Sequence, residues 1–540
     1  MNMHTRGGRF WIGLLTLCAA LYAPMSVAES KEPVVFRRGN DSEPASLDPH
    51  HAGTVWENSI IGDLFLGLTT DDPQGNPVPG AAESWSVSPD GLIWTFKLRP
   101  GLKWSDGVPL KASDFVFGFR RLLDPKTAAK YAFILYVVKN AEAVNGGKMP
   151  LEAIGIRALD DQTVEITVDG PTPFLPGLLT HFASFPIPEH VYKKYGDDWV
   201  KPGIMVSNGA YVLAAWNAHD YVKSVKNPLF YDAGNVAIDE VFYYPLEADT
   251  TTLARFRAGE IDASLGRGGF PMRQYEWVKE NLPGQGHIVA QLAIEYMVLN
   301  MRKPPFNDAR VRRAISLCID RKILTEKVLL DGSLPAYAFV PPGISNYRGE
   351  PRQAFADWTV EKRRSEAKRL LVEAGYGPDK PLTFEYKHMA TPNGRRTAVA
   401  EAAMLKECGV VSKLYTNEPK IHYASVQQFD FEAAWAGWVA DYNDPQNFLF
   451  LLDSRSRAYN YGGYKNEAFD RLMDQAKVTL DIDQRAAILA QAEQIALDED
   501  AMIPLDFGTN RILVAPYVKG YVGNAVNVHR TRWMSLERKP

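Results

Sequence analysis

Residues 435 to 445, WAGWVADYNDP, set two tryptophans three apart and follow them with Asp441, Asn443 and Asp444. A carboxylate beside so much aromatic surface admits two readings. In a water-poor wall it pairs strongly with a cation, because charges attract more as the local dielectric falls. The plainer alternative is that both indoles are core and Asp441 caps a turn. Calcium is excluded by spacing: Pro445 and Gln446 stand where a ligand and the invariant glycine belong, and Leu452 replaces the closing glutamate.

Catalytic signatures elsewhere fail in the same way. Ser365 and Lys368 match S-x-x-K, but they lie in the polar part of an amphipathic helix and no K-T-G partner follows. There is no G-x-S-x-G, H-E-x-x-H or P-loop. His50 and His51 are adjacent, cannot share one face, and read as loop residues. No cofactor or metal set is implied.

Where the chain works follows from residues 1–28. Arg6 and Arg9 precede an uncharged run from Phe10 to Ala23, and Ser26-Val27-Ala28 offers the small residues that a signal peptidase reads. The run is too short for the ~20 residues of a membrane-spanning helix. Leu17 before Cys18 argues against a lipoprotein signal. A chain exported to a bacterial periplasm, starting near Glu29, is expected. Loss of Arg6 and Arg9 makes the formal net charge of -4 more negative by two, which gives no footing for nucleic acid.

Only Cys318 and Cys408 remain, so a disulfide-dense scaffold is excluded; a single bridge between them is left open. Cys318 sits with Val311, Ala314, Ile315 and Ile319 at helical spacing, in a core position.

The elements that must position the 435–445 segment are mixed. After the turn at Pro89-Asp90-Gly91, Trp94, Phe96 and Leu98 alternate with Ile93, Thr95 and Lys97 in strand period, and Val164, Ile166 and Val168 repeat the pattern. Thr359 is placed to cap a helix whose apolar face is Ala367, Leu370, Leu371 and Ala374 and which Gly375 ends; residues 485–500 form another. Interleaved strands and helices over about 510 mature residues predict an α/β or α+β chain of two or three domains.

The order of motifs adds a resemblance. SLDPH (46–50), GDLFLGL (62–68), the block from Trp85 to Phe115, SNGAYVL (207–213), FRAGEID (256–262), FNDARVRRAI (306–315), EAKRLLVEAGY (366–376) and GWVADYNDP (437–445) stand in the order found in periplasmic oligopeptide-binding proteins, the large solute receptors of ABC peptide importers. The likeness covers nearly all of the mature chain.

The resemblance implies an α/β, periplasmic binding protein-like fold with two lobes that close on a hinge and an additional domain. Domain I would be 29–65, 190–292 and 509–540, domain II 66–189 and domain III 293–508. An oligopeptide would lie between the lobes as an added strand, with its side chains in roomy pockets, and a monomer would deliver it to an inner-membrane ABC permease. By position, Asp441 would pair with the peptide's α-amino group, Trp438 would line the adjacent pocket, and Gly437 and Val439 would offer backbone groups. Gly53, Thr54 and Val55 would form a ligand-contacting strand of domain I, and Tyr131, Tyr296 and Phe507 would be pocket aromatics.

Departures from the family pattern matter as well. Val439 and Ala293 replace both halves of a bridge found in enteric members. Trp435 stands where those members have an arginine able to hold the ligand's C-terminal carboxylate, and Val298 replaces an acidic pocket residue. Either Arg267, in LGRGGFP, supplies the missing charge, or the ligand is longer, modified or without a free carboxylate; Arg267 as a plain loop charge is the third possibility. Rival readings are a specialised cargo such as murein peptide or haem and, from another class, an exported hydrolase.

Overall fold

A strand buries alternate side chains because successive residues point to opposite faces, and Ile93–Leu98 does so: Trp94, Phe96 and Leu98 are buried while Ile93 is exposed. Each such aromatic or aliphatic burial stabilises by about 1.5–3 kcal/mol. The strand belongs to a four-stranded antiparallel sheet with Ala82–Val87, Thr163–Thr167 and Ile156–Asp160. Helix Ala112–Leu123 packs on it, burying Phe115, Phe119 and Leu122.

This computed structural model describes Met1 and residues 32–538, other than 345, 346, 348, 349, 457 and 458. The predicted signal peptide, residues 1–28, lies outside the described residues save Met1. Among the described residues no helix is long and apolar enough to cross a membrane.

Within the unit Val34–Pro540, the largest sheet has eleven strands. Its path runs Val410–Asn417, Leu382–Met389, Ala433–Val439, Gly286–Leu299, Ile503–Val514, Ala263–Ser264, Val35–Gly39, Glu240–Tyr244, Tyr221–Lys226 and Tyr211–Asn217, with Leu334–Pro335 beside Ile503–Val514. Two long strands, Gly286–Leu299 and Ile503–Val514, therefore join its two ends. Their register runs from Gly286 opposite Leu513 to Ala290 opposite Thr509, breaks, and resumes at Ile294 opposite Phe507. Three residues face one across that break, a bulge that interrupts the ladder and raises local twist.

Cores follow the alternation. Ile294, Tyr296 and Val298 enter one cluster with Phe339, Phe448 and Phe507. Met297 and Leu299 enter another, on the opposite face, with Ile315, Tyr386 and Leu405. A third core draws on residues between 36 and 278 and on 512–534. Cys318 and Cys408, both buried, form a disulfide with their Cα atoms 6.2 Å apart, which settles the pairing that spacing left open.

The predicted helices are present as Val360–Glu373 and Ile482–Asp498. Thr359 caps the first by accepting from the Lys362 N–H at 3.2 Å, and Gly375 beyond its end has φ +87°, a conformation that glycine adopts without strain.

Candidate functional site

The carboxylate that matters in 441–445 is decided by what the others hold. Asp444 forms a paired ion bridge with Arg485, and Asn443 Nδ2 donates to the Gly75 carbonyl at 3.2 Å. The Asp441 carboxylate accepts no hydrogen bond from, and forms no ion pair with, any described residue. Burial alone pushes it from 3.8 up to about 6. Its place is fixed by Asn447, whose Oδ1 receives both the Asp441 N–H, at 3.3 Å, and the Trp438 indole N–H, at 2.8 Å. Asn447 is buried and was not found in the sequence; the only local hint is its position two residues after the helix-initiating Pro445.

Asp441 lines a cavity of about 400 Å³. Gly53, Thr54, Val55, Tyr131, Arg267 and Val439 line it as well. Seven of the twelve site residues predicted above therefore converge on one space, drawn from positions up to 388 apart in the chain.

Gly53, Thr54 and Val55 reach the cavity without forming the strand expected of them. Val55 starts helix Val55–Leu64, and Thr54 is its cap. The cause is Glu57, a buried carboxylate that gathers the N–H groups of Ala45, Ser46 and Gly53, at 3.0, 3.0 and 2.6 Å, and the Thr54 hydroxyl at 2.9 Å. These local bonds satisfy the amides that a ladder would otherwise need.

Trp438, Gly437, Trp435, Tyr296 and Phe507 stand outside the cavity lining. Trp438 packs edge-on against Phe450 and Tyr459. Tyr296 and Phe507 are buried core, Tyr296 against Phe339. Val298 is buried in the same core. Trp435 donates its indole N–H to Glu295 Oε2 at 3.1 Å.

The backbone of Ala433–Val439 contributes in another way. The Ala440 N–H donates to the Leu292 carbonyl and the Asn300 N–H to the Glu432 carbonyl, so even-numbered residues bond toward Gly286–Leu299 and odd ones point away. On that outer side Leu382–Met389 pairs only with Ala433 and Ala434. His422 Nε2 lies 2.8 Å from the Trp435 carbonyl, and the Tyr423 hydroxyl meets the Gly437 N–H. The Gly437 carbonyl and both backbone groups of Val439, a residue 47% exposed, are left on an edge that no strand among the described residues covers. Ala293 is the direct cross-strand partner of Val439.

Two arginines line the cavity. Arg530, which sequence reading missed, is held by the Asn58 carbonyl and side chain, at 2.8 and 3.2 Å, and lies 3.6 Å from Asp71. Arg267 is exposed; its N–H donates to Asp41 at 3.0 Å, while its guanidinium has no carboxylate within ion-pair distance among the described residues. Tyr131 packs against His181 with ring centroids 4.7 Å apart and planes tilted by 45°, and burial pushes that imidazole down to about 3, leaving it neutral. The site thus offers one uncommitted anion, one uncommitted cation, an aromatic wall and an open strand edge.

Comparison with known proteins agrees. Residues 76–460 match the family model of bacterial extracellular solute-binding proteins, family 5. The periplasmic oligopeptide-binding protein of Escherichia coli K12 is 38% identical over 514 residues, 95% of this chain and 93% of that protein. The periplasmic murein peptide-binding protein of the same organism is 35% identical over 529 residues, 97% of each. Among solved structures, the unliganded open form of a periplasmic murein tripeptide-binding protein matches at TM-score 0.86 and 36% identity, covering 94% of this chain and 98% of that one. The Haemophilus influenzae oligopeptide-binding protein in complex with the peptide RPPGFSPFR matches at 0.73 and 35%, covering 94% and 99%.

Proposed function

Because the chain belongs to the bacterial extracellular solute-binding proteins of family 5, we propose that it is an extracytoplasmic receptor that binds oligopeptides between two closing lobes and delivers them to an ABC permease. It acts by binding and release, not by turnover. Residues 1–28 serve as a cleavable signal peptide, the mature protein works in the periplasm as a monomer, and its partners are the peptide and the inner-membrane permease.

One observation carries the reading: a half-buried carboxylate, Asp441, which forms no ion pair with any described residue, faces a cavity beside a strand edge whose backbone groups no described strand meets. A peptide with a free amino terminus satisfies both at once. Its ammonium meets Asp441, and its backbone adds to the edge at Gly437 and Val439, which ignores side-chain identity. Arg267 takes the C-terminal carboxylate, with Tyr131, Gly53, Thr54 and Val55 forming the facing wall. Trp438, Tyr296 and Phe507 shape the pocket from behind, and Trp435 closes its far end.

The domains we assign are 29–65, 190–292 and 509–540 for the first, 66–189 for the second and 293–508 for the third. The break in register between Ala290 and Ile294 then falls at the crossing between them and serves as the hinge, since a few residues at element ends absorb such rotations. The higher TM-score against the open form, at similar identity, supports an open arrangement of the lobes. Closure then needs a ligand that touches both sides.

Calorimetric titration of the mature protein with a free-amine peptide and its N-acetylated counterpart tests the reading. The free amine should bind at least tenfold more tightly, and peptides should be recovered intact. Equal affinities, or cleavage of the peptide, would refute it.

A further inference from the structure

A second pair of carboxyls lies next to the open strand edge. Glu295 and Asp506 are direct cross-strand partners on the two long strands, so their side chains share a face. Gly437 is the partner of Glu295 on the other side. Glu295 is partly exposed and holds the Trp435 indole through Oε2, while no described residue donates to its Oε1. Asp506 is 3% exposed, and neither of its oxygens accepts a hydrogen bond from a described residue.

Among the described residues nothing cationic answers these two groups. No lysine, arginine or histidine among the described residues forms an ion pair with either. What faces them makes matters worse. Asp331, capped by its own turn through Ser333, repels both. Glu401 and the Tyr386 hydroxyl are both fully buried, lie against one another, face Glu295, and have no well-formed hydrogen-bond partner. Arg321, whose charge acts on Glu401, directs its donors to Ser316, Ile319, Pro504 and Gln353. Burial raises the proton affinity of both Glu295 and Asp506, and repulsion by Asp331 adds to it.

Desolvated carboxyls without a counter-charge are costly to ionise, and a cation that reaches them offsets that cost. The surroundings suit a cation. The partly exposed Trp435 offers an indole face, which attracts ammonium and guanidinium groups. Gly437 leaves the approach open: a Cβ there would lie 3.3 Å from Trp435 Cη2.

We propose that Glu295 and Asp506, walled by Trp435, form a recognition site for a cationic side chain of the bound peptide, separate from the α-amino contact at Asp441. The proposal rests on the peptide-receptor reading above. Gly437 stands four positions before Asp441, which at ~3.3 Å per residue places the site within reach of roughly the third or fourth residue of a ligand whose amino terminus sits at Asp441.

The test is a positional scan by calorimetry on the mature protein, using tetra-alanine peptides with lysine or its uncharged isostere norleucine at positions two, three or four. Wild type should prefer lysine at least tenfold at one position. The isosteric double variant Glu295→Gln, Asp506→Asn should lose that preference while its affinity for the norleucine peptides stays within threefold. Equal binding of lysine and norleucine at all three positions in wild type would overturn the site without any variant. A lysine preference that survives in the double variant would also overturn it, and leave the receptor reading standing. Failure of every peptide in the series to bind would refute both.

Discussion

Replacing Asp441 by asparagine should make the empty protein more stable and the receptor worse. Burial moves the Asp441 carboxyl from 3.8 to about 6. At about 1.4 kcal/mol per pH unit, holding it ionised above pH 6 costs the folded, unliganded protein up to about 3 kcal/mol, less whatever its partial exposure recovers. The sign is that of an acid whose folded value is raised. Between pH 3.8 and 6 the folded state binds more protons than the unfolded one, so stability falls as pH rises through that window and stays lowered above it. The substitution Asp441→Asn removes the penalty, and thermal unfolding of the unliganded variant at pH 7 should shift upward; at pH 4 the two proteins should unfold alike. Ligand binding should change the other way. Removing one member of a desolvated charge pair typically costs ~2–5 kcal/mol, or about one to four decades of affinity. In wild type, affinity for a free-amine peptide should weaken about tenfold per pH unit below 6 and again above about 8, where the ammonium titrates. Calorimetry across pH 4.5–9 and differential scanning calorimetry read both effects. An unliganded Asp441→Asn protein less stable than wild type at pH 7, or equal affinity losses for free and N-acetylated peptides, would refute the reasoning.

Other consequences can be measured separately. Arg267→Ala should abolish discrimination between peptides ending in carboxylate and in amide, about tenfold in wild type; an unchanged ratio removes Arg267 from the C-terminal contact. Asn447→Ala leaves the Trp438 indole N–H and the Asp441 N–H without their shared acceptor. It should weaken peptide binding by about 1–3 kcal/mol while the preference for a free amine persists. The Cys318–Cys408 bridge spans 90 residues of chain, so reduction or Cys318→Ser/Cys408→Ser should cost about 2–5 kcal/mol of stability, seen in denaturant titration, with affinity unaltered.

Much of the architecture is legible locally. The period of Trp94, Phe96 and Leu98 marks a strand because a half-buried strand must alternate, whatever it pairs with. Thr359 and Gly375 mark helix ends through bonds and dihedrals that involve only their neighbours. Asp441 could be singled out because a carboxylate follows two indoles within six residues. The strand expected at Gly53, Thr54 and Val55 gives way to a helix start because Glu57, only two to four residues away, takes the Gly53 amide and the Thr54 hydroxyl, an outcome that competing local bonds decide.

What sequence alone determined, then, was the kind of element at each position and the chemistry available in 435–445, since both depend on side chains a few residues apart. Which groups remain uncommitted was a tertiary decision. Asp444 is neutralised by Arg485, 41 residues on, and Asp441 is not; Glu295 meets Asp506 only because two strands more than 200 residues apart lie in one register. Charge pairing and desolvation depend on distances through space, and those exist only once the chain has closed on itself.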